Sequence, residues 1–357
     1  MSEGSTARVL VLTPDSNAPI GGVKIHYQLV DALNRAGVDA RVVHRKRGFR
    51  CTWFQNTTQV ESLDTLRVSG HDLLVLPEEW MAFIPDLPAD VPKVIFHQNA
   101  YTTFSWGADP DVIRNVLHRP DVKRVVVVSD DNAAYLRYAF PDVDIQRIRY
   151  TIDQSIFSTS PNVHKRRQIA YMPRRRAQES VDVLSLLRSR GVLDGWPIVA
   201  IDNMTEAQVA DHLRHSAIFL SFSEREGLPL PPAEAMACGC VVIGFHGFGG
   251  RDFADNAIWV SEGDVVEFAR TVESVLKTWQ QDADRFRLLT ERASAHIRDT
   301  YNAANTERDV LTAFGFSTAN VPVGGSYALS DSMWQALPLG RRMIRRATRA
   351  FGVLLRG

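Results

Sequence analysis

Residues 218–250 restrict the fold of this chain more than any other stretch. The stretch opens on a short apolar run, 218–222, and closes on a second, 241–245. Each has the length and composition of a buried parallel strand. Between them, 232–238 reads as a helix begun by Pro232, a residue suited to the first helical position. Strand, helix and strand in this order predict a parallel βαβ unit. The connection carries two carboxylates, Glu226 and Glu234, eight positions apart. This reading puts Glu234 in the first helical turn, where the positive helix end favours an anion. After the second strand stands a Gly-rich turn, Gly247-Phe248-Gly249-Gly250, able to present a cradle of backbone N–H groups.

The same alternation runs through the whole chain. Strand-like runs stand at 9–12, 40–44, 73–76, 94–97, 125–129 and 145–150, then at 168–172, 198–201 and 258–260. A helix is expected from Val23, with Ile25, Leu29, Ala32, Leu33 and Ala36 on one face and Gly37 as its stop. Others are expected over 181–191, 206–215 and 265–276. This pattern predicts an α/β protein built on parallel sheets. At 357 residues the chain exceeds one ordinary core. The expected division is 1–158, 159–300, and a remainder, 301–357, holding a returning helix, a linker and a basic tail.

Three places carry residues fit for chemistry. Gly21-Gly22 lies between a strand and a helix, where glycine lets backbone N–H groups approach an anion, or simply makes a tight turn. His97 ends a strand, followed by Gln98 and Asn99 as hydrogen-bonding candidates, at the carboxyl edge where ligands bind in such sheets. Arg174, Arg175 and Arg176 follow a strand directly, and a guanidinium fork pairs bidentately with phosphate oxygens.

Glu226 and Glu234, followed by Ala235-Met236-Ala237-Cys238-Gly239 and a strand ending in a Gly-rich turn, resemble the donor site of retaining GT-B glycosyltransferases. The type is the large nucleotide-sugar-dependent family four, the glycosyl transferases group 1. The resemblance implies two Rossmann-like doubly wound domains facing a central cleft, the second binding the donor and the first the acceptor. It implies that Glu234 holds the ribose hydroxyls, that Glu226 lies beside the transferred sugar, and that Leu230 belongs to the nucleotide-binding residues. Arg174 and Arg175 would stabilise the departing diphosphate, although the family's Arg and Lys stand at another spacing. Which of the three arginines makes that contact stays open. Gly21, Gly22, Gly249 and Gly250 would contact the diphosphate, and His97 the sugar. The loop departs from the family at Glu226-Gly227-Leu228-Pro229, so Glu224 rivals Glu226. Tyr150-Thr151-Ile152-Asp153 with Phe157 matches the family's hinge segment without its Asn-Gly. The implied activity is transfer with retention, from a nucleoside-diphosphate sugar to a glycan or lipid-linked glycan in cell-surface polysaccharide or glycoconjugate synthesis. A nucleotide-sugar 2-epimerase and an inactive scaffold share the fold and stand as alternatives.

Composition excludes other classes. A formal net charge of zero gives no global field for nucleic acid. Cys51, Cys238 and Cys240 form no disulfide framework, and Cys238-Gly239-Cys240 has the wrong spacing for a zinc or redox pair. The pairs Asp109/Asp111, Asp142/Asp144 and Asp282/Asp284 close no apolar strand, so no metal and no cofactor are expected beyond the donor sugar nucleotide. The N-terminus lacks a charged-then-apolar leader and no run reaches about 18 apolar residues. A cytoplasmic protein is therefore expected. The 339–357 tail carries Arg341, Arg342, Arg345, Arg346, Arg349 and Arg356 without an acid, and its apolar residues share one helical face. Such a segment suits an anionic membrane surface, making the protein peripheral on the inner face of the plasma membrane, or the protein body or a partner helix.

Overall fold

Seven parallel strands form the first sheet: β1 (Val9–Leu12), β2 (Ala40–His44), β3 (Val60–Ser62), β4 (Leu73–Pro77), β5 (Lys93–His97), β6 (Val122–Val127) and β7 (Ile145–Arg147). Their order is β3-β2-β1-β4-β5-β6-β7. The order reverses beside β1, as in doubly wound sheets. The structure, a computed structural model, describes residues 7–18, 20–105, 109–315 and 326–329. The basic 339–357 tail lies outside the described residues.

Two units are present. The first comprises the described parts of 1–150 and 303–329, the second Thr151–Asn302. The segment 151–158, expected with the first unit, packs with the second. In the first unit, α1 (Gly21–Arg35) covers one face of the sheet, and Gly37, at φ 86°, ends it as the composition suggests. Below the other face, α2 (Pro110–Leu117) and α3 (Asp130–Ala139) complete a core around Leu12, Leu76, Trp80, Ile95, Val127 and Leu136. Asp109 caps α2 and Ser129 caps α3, each accepting a backbone N–H of the first turn. The short edge strand β3 has no apolar signature, which is why its pattern is silent in the sequence.

The second unit contains β8 (Arg166–Tyr171), α4 (Ala177–Ser189), β9 (Ile198–Ala200), α5 (Glu206–His215), β10 (Ser216–Glu226), α6 (Leu230–Ala237), β11 (Val241–Phe248), β12 (Ile258–Trp259), α7 (Val265–Thr278) and α8 (Ala283–Thr300). The five parallel strands run β12-β11-β10-β8-β9. Their core holds Ile169, Leu187, Leu220, Ile243, Phe245, Phe268 and Val272. The chain then returns to the first unit as α9 (Ala303–Phe314), which packs on α1. No described helix is long and apolar enough to cross a membrane.

Helix α6 begins at Leu230, two residues before the expected Pro232. Pro229 is its extended N-cap, and Pro231 and Pro232 occupy positions whose N–H groups have no intrahelical partner in any case. Glu234 is consequently the fifth helical residue, outside the first turn, and the helix-end argument made for it does not hold.

Candidate functional site

Strand β10 runs four residues beyond the apolar segment, to Glu226, and delivers that side chain to the carboxyl edge of the second sheet. Strand β8 ends at Tyr171 beside it, so Arg174 and Arg175 emerge at the same edge. Arg175 Nε lies 3.1 Å from Glu226 Oε1. The Glu226 side chain is 17% exposed, and burial pushes its carboxyl above the ordinary range, against the pull of Arg175 and Arg174. Glu224, the rival, is exposed and acts on Glu226 only as a repelling charge. Two exposed arginines and a partly desolvated carboxylate thus converge where a ligand anion can replace one partner.

Arg176 does different work. It sits in the left-handed region at φ 43°, ψ 50°, directly before α4. Its Nε donates to the Ser223 carbonyl at 2.9 Å and its Nη2 to Glu262 Oε2 at 2.6 Å, with the guanidinium 4.7 Å from the Phe245 ring centre. Its charge is committed inside the protein, which separates it from Arg174 and Arg175.

The Gly-rich turn after β11 packs onto the turn after β10. A Cβ on Gly249 would stand 2.0 Å from the Gly227 carbonyl oxygen, and one on Gly250 3.2 Å from Pro229. Only glycine permits this approach. The amides of this turn are not all open as the composition implied. Gly247 N–H donates to Glu262 Oε1 at 2.8 Å, and Phe248 N–H donates to His246 Nδ1 at 2.9 Å. Gly249 then begins a 3₁₀ stretch, Gly249–Asn256, that is kinked at Ala254. Glu262 and His246 organise this turn and were missed in the sequence; Glu262 follows a two-residue strand with no motif to mark it. Leu230 and Glu234 lie on α6, both partly exposed, and α6 starts beside Gly250 through Pro229.

In the first unit, Gly21 and Gly22 are the first two residues of α1, so the expected turn is the helix start itself. A Cβ on Gly22 would meet Gln98 Oε1 at 3.4 Å. Gln98 Nε2 donates to the Gly22 carbonyl at 3.1 Å and to His26 Nε2 at 2.9 Å, and Gln98 Oε1 accepts from Tyr150 Oη at 3.0 Å. Glu78 accepts the backbone N–H groups of Gln98 and Asn99 at 3.0 and 2.9 Å, and burial raises its carboxyl well above the ordinary range.

His97 ends β5 but its side chain turns away from this edge into the core. Its side chain is 1% exposed and lies among Met81, Leu117, Val125, Leu136 and Phe140. Thr103 Oγ1 donates to the Ala100 carbonyl, so His97 Nε2–H is the donor in its 2.9 Å contact with Thr103 Oγ1, leaving Nδ1 buried without a hydrogen bond. Burial lowers this imidazole to about 3, and it stays neutral. Strand alternation is the reason: consecutive residues point to opposite faces, so Gln98, not His97, meets the helix start of α1.

Among the described residues no group of three or more His, Cys, Asp or Glu side chains is placed to hold a metal ion. The three cysteines are free and buried.

Comparison with known proteins adds the family context. Residues 178–278 match the family described as glycosyl transferases group 1. The chain is 30% identical over 273 residues to an alpha-1,6-glucosyltransferase of Actinobacillus pleuropneumoniae serotype 7, covering 71% of this chain and 78% of that one. Among solved structures, HepE of Anabaena in complex with UDP-glucose superposes with a TM-score of 0.66 at 14% identity, covering 86% of this chain and 99% of that one. Sucrose-phosphate synthase from Thermosynechococcus elongatus superposes with a TM-score of 0.64 at 14% identity, covering 87% and 98%. These structures share the GT-B fold, and the two parallel α/β sheets described above have that architecture.

Proposed function

Since this chain belongs to the glycosyl transferases group 1 family, we propose that it transfers a glucosyl residue, with retention, from UDP-glucose to a glycan or lipid-linked glycan. The observation that carries this reading is the Arg175–Glu226 pair at the edge of the second sheet, with Arg174 beside it and Gly249 pressed on Gly227. A departing nucleoside diphosphate accumulates negative charge as the glycosidic bond breaks. Fixed guanidinium groups stabilise that charge more in the transition state than in the ground state, which lowers the barrier. As diphosphate oxygens draw Arg175 away, the Glu226 carboxylate is left to face the positive charge developing on the sugar ring. Glu234, on α6, holds the ribose hydroxyls, and the Gly249 and Gly250 backbone approaches the diphosphate closely.

In this scheme the leaving phosphate takes the acceptor's proton on the face it leaves, so no separate strong base is needed. Turnover is expected to survive chelation of divalent ions, because the arginines supply the cationic charge. UDP-glucose is the donor to try first, because the curated relative is a glucosyltransferase and HepE binds UDP-glucose. The acceptor is expected on the first unit, at the edge built by Gln98, Asn99 and Gly22. A lipid-linked acceptor fits the basic 339–357 segment, whose charge suits an anionic bilayer.

The test is UDP release from UDP-glucose with and without candidate glycans, with the anomeric configuration of the product read by NMR. Release that requires acceptor and yields an α-linked product supports the reading. Conversion of the sugar nucleotide without acceptor would establish the epimerase instead, and binding without any turnover the inactive scaffold.

A further inference from the structure

His246 Nδ1 has two partners that it cannot serve at once. It stands 2.9 Å from Phe248 N and 3.1 Å from Glu262 Oε1. A neutral ring with its proton on Nε2 accepts the Phe248 N–H through the Nδ1 lone pair, and that lone pair then faces the Glu262 carboxylate. A protonated ring reverses both relations: Nδ1–H donates to Glu262, and the Phe248 amide loses its acceptor.

The amide in question sits at the centre of the Gly-rich turn after β11. Phe248 holds φ 66° and ψ −58°, a region that a bulky L residue enters only under constraint. Gly247, at φ 59°, precedes it and Gly249 follows. The bond to His246 is one of the constraints that hold Phe248 there. Charged groups surround the ring on each side. Glu262 follows β12, and Arg176, before α4, binds the other Glu262 oxygen. Strand β10, whose Ser223 is the register partner of His246, carries Glu224 and Glu226 next in line. Arg251 stands over the Phe248 ring at 4.9 Å. Glu262 is the acid in direct contact, and its second oxygen is already anchored by Arg176, so it is positioned to receive a proton-bearing Nδ1 without moving.

We propose that His246 is a positioning residue for the donor diphosphate. Neutral, it sequesters the Phe248 N–H; protonated, it turns its bond to Glu262 and releases that N–H to a phosphate oxygen. The inference rests on the donor reading of the second unit, and it adds a coupling between donor binding and proton uptake by this side chain.

Two measurements test it on the full chain, one without any ligand. The first is the amide protection factor at Phe248, corrected for intrinsic exchange, between about pH 8 and pH 6. Protection is expected to fall about tenfold toward pH 6 and to stay level in His246→Gln, which keeps an acceptor but cannot titrate. The second is the UDP-glucose dissociation constant over the same range. Both phosphates of this donor are esterified, so the ligand itself does not titrate there. Affinity is expected to rise about tenfold toward pH 6, to be flat in His246→Gln, and to shift its transition to lower pH in Glu262→Gln, where the anion facing Nδ1 is gone. Protection that does not change with pH overturns the exchange of partners. Protection that changes while UDP-glucose binds equally at every pH overturns its link to the diphosphate. An amide that switches in a protein binding no UDP-glucose supports the exchange and refutes the donor reading.

Discussion

At the scale of single residues, the second unit separates an arginine committed inside the protein from two that stand exposed at the sheet edge. Arg176 is bound to Ser223 and Glu262, whereas the Arg175 side chain is 55% exposed and pairs with Glu226. Replacing Arg174 and Arg175 together with alanine is expected to lower kcat about 10²–10³-fold with little change in thermal stability, measured by steady-state UDP release. Glu226 shows the opposite balance. Its folded carboxyl is raised, so the folded state holds a proton that the unfolded chain has given up, and stability is lost as pH rises above 4.5 through the raised value. Glu226→Gln removes that loss. The variant is expected to gain about 0.5–2 kcal/mol at pH 7 in a denaturant melt while transfer becomes undetectable. His97 carries the reverse sign. Lowered from 6.5 to about 3, it is neutral in the fold and takes a proton on unfolding, so stability falls as pH drops below 6.5, by about 1.4 kcal/mol per pH unit. His97→Met is expected to flatten this acid limb and to keep transfer within about twofold; a hundredfold loss of activity would return His97 to the substrate.

At the scale of elements, the site depends on how closely two turns approach. Strand β11 lies against β10 because Gly244, at φ 135°, leaves room for the Ser221 carbonyl and the Phe268 ring, each of which a Cβ would approach within 2.4 Å. One turn farther on, Gly249 makes the corresponding contact with Gly227, so the Gly-rich turn and the Glu226 turn form one packed body. Gly249→Ala is expected to cost about 1–3 kcal/mol of stability and to weaken UDP-glucose binding at least tenfold, since the clash is with backbone and no rotamer change relieves it. Isothermal titration and a thermal melt on the same sample check both parts. Binding left intact in a stable Gly249→Ala protein would mean that the donor does not use this turn.

At the scale of the whole molecule, the first unit is closed by a helix from the far end of the chain. Arg149 grips Asp309 through two bonds of 2.7 Å, and the Thr306 hydroxyl donates to the Arg149 carbonyl. Arg124 adds bonds to the carbonyls of Thr312 and Ala313. Asp309→Ala removes both of these bonds from a part-buried guanidinium, and a loss of about 1–3 kcal/mol is expected. Hydrogen exchange locates the loss: α1 and α9 amides are expected to exchange faster, while β10 and β11 keep their protection. Equal loosening of both units would show that α9 does not serve the first unit alone.

The amino-acid order by itself determined the two parallel sheets, because alternating apolar runs and helical faces leave few other ways to bury them, and the Glu226–Glu234 spacing with its Gly-rich turn pointed to the family. Position along the chain was enough to place Arg174, Arg175, Glu226 and Gly249 at one sheet edge, since each stands at or just after a strand end and strand ends of a parallel sheet share one edge. It was not enough for His97, where one step of strand alternation sends the ring inward and Gln98 outward. Nor was it enough for the start of α6, where three prolines made two boundaries equally reasonable. Arg176, Glu262 and His246 lie far apart in the chain, and nothing in their spacing announces that they meet. Their partnership is decided by tertiary packing, which brings the ends of β8, β11 and β12 together and places Glu262 between Arg176, His246 and the Gly247 amide.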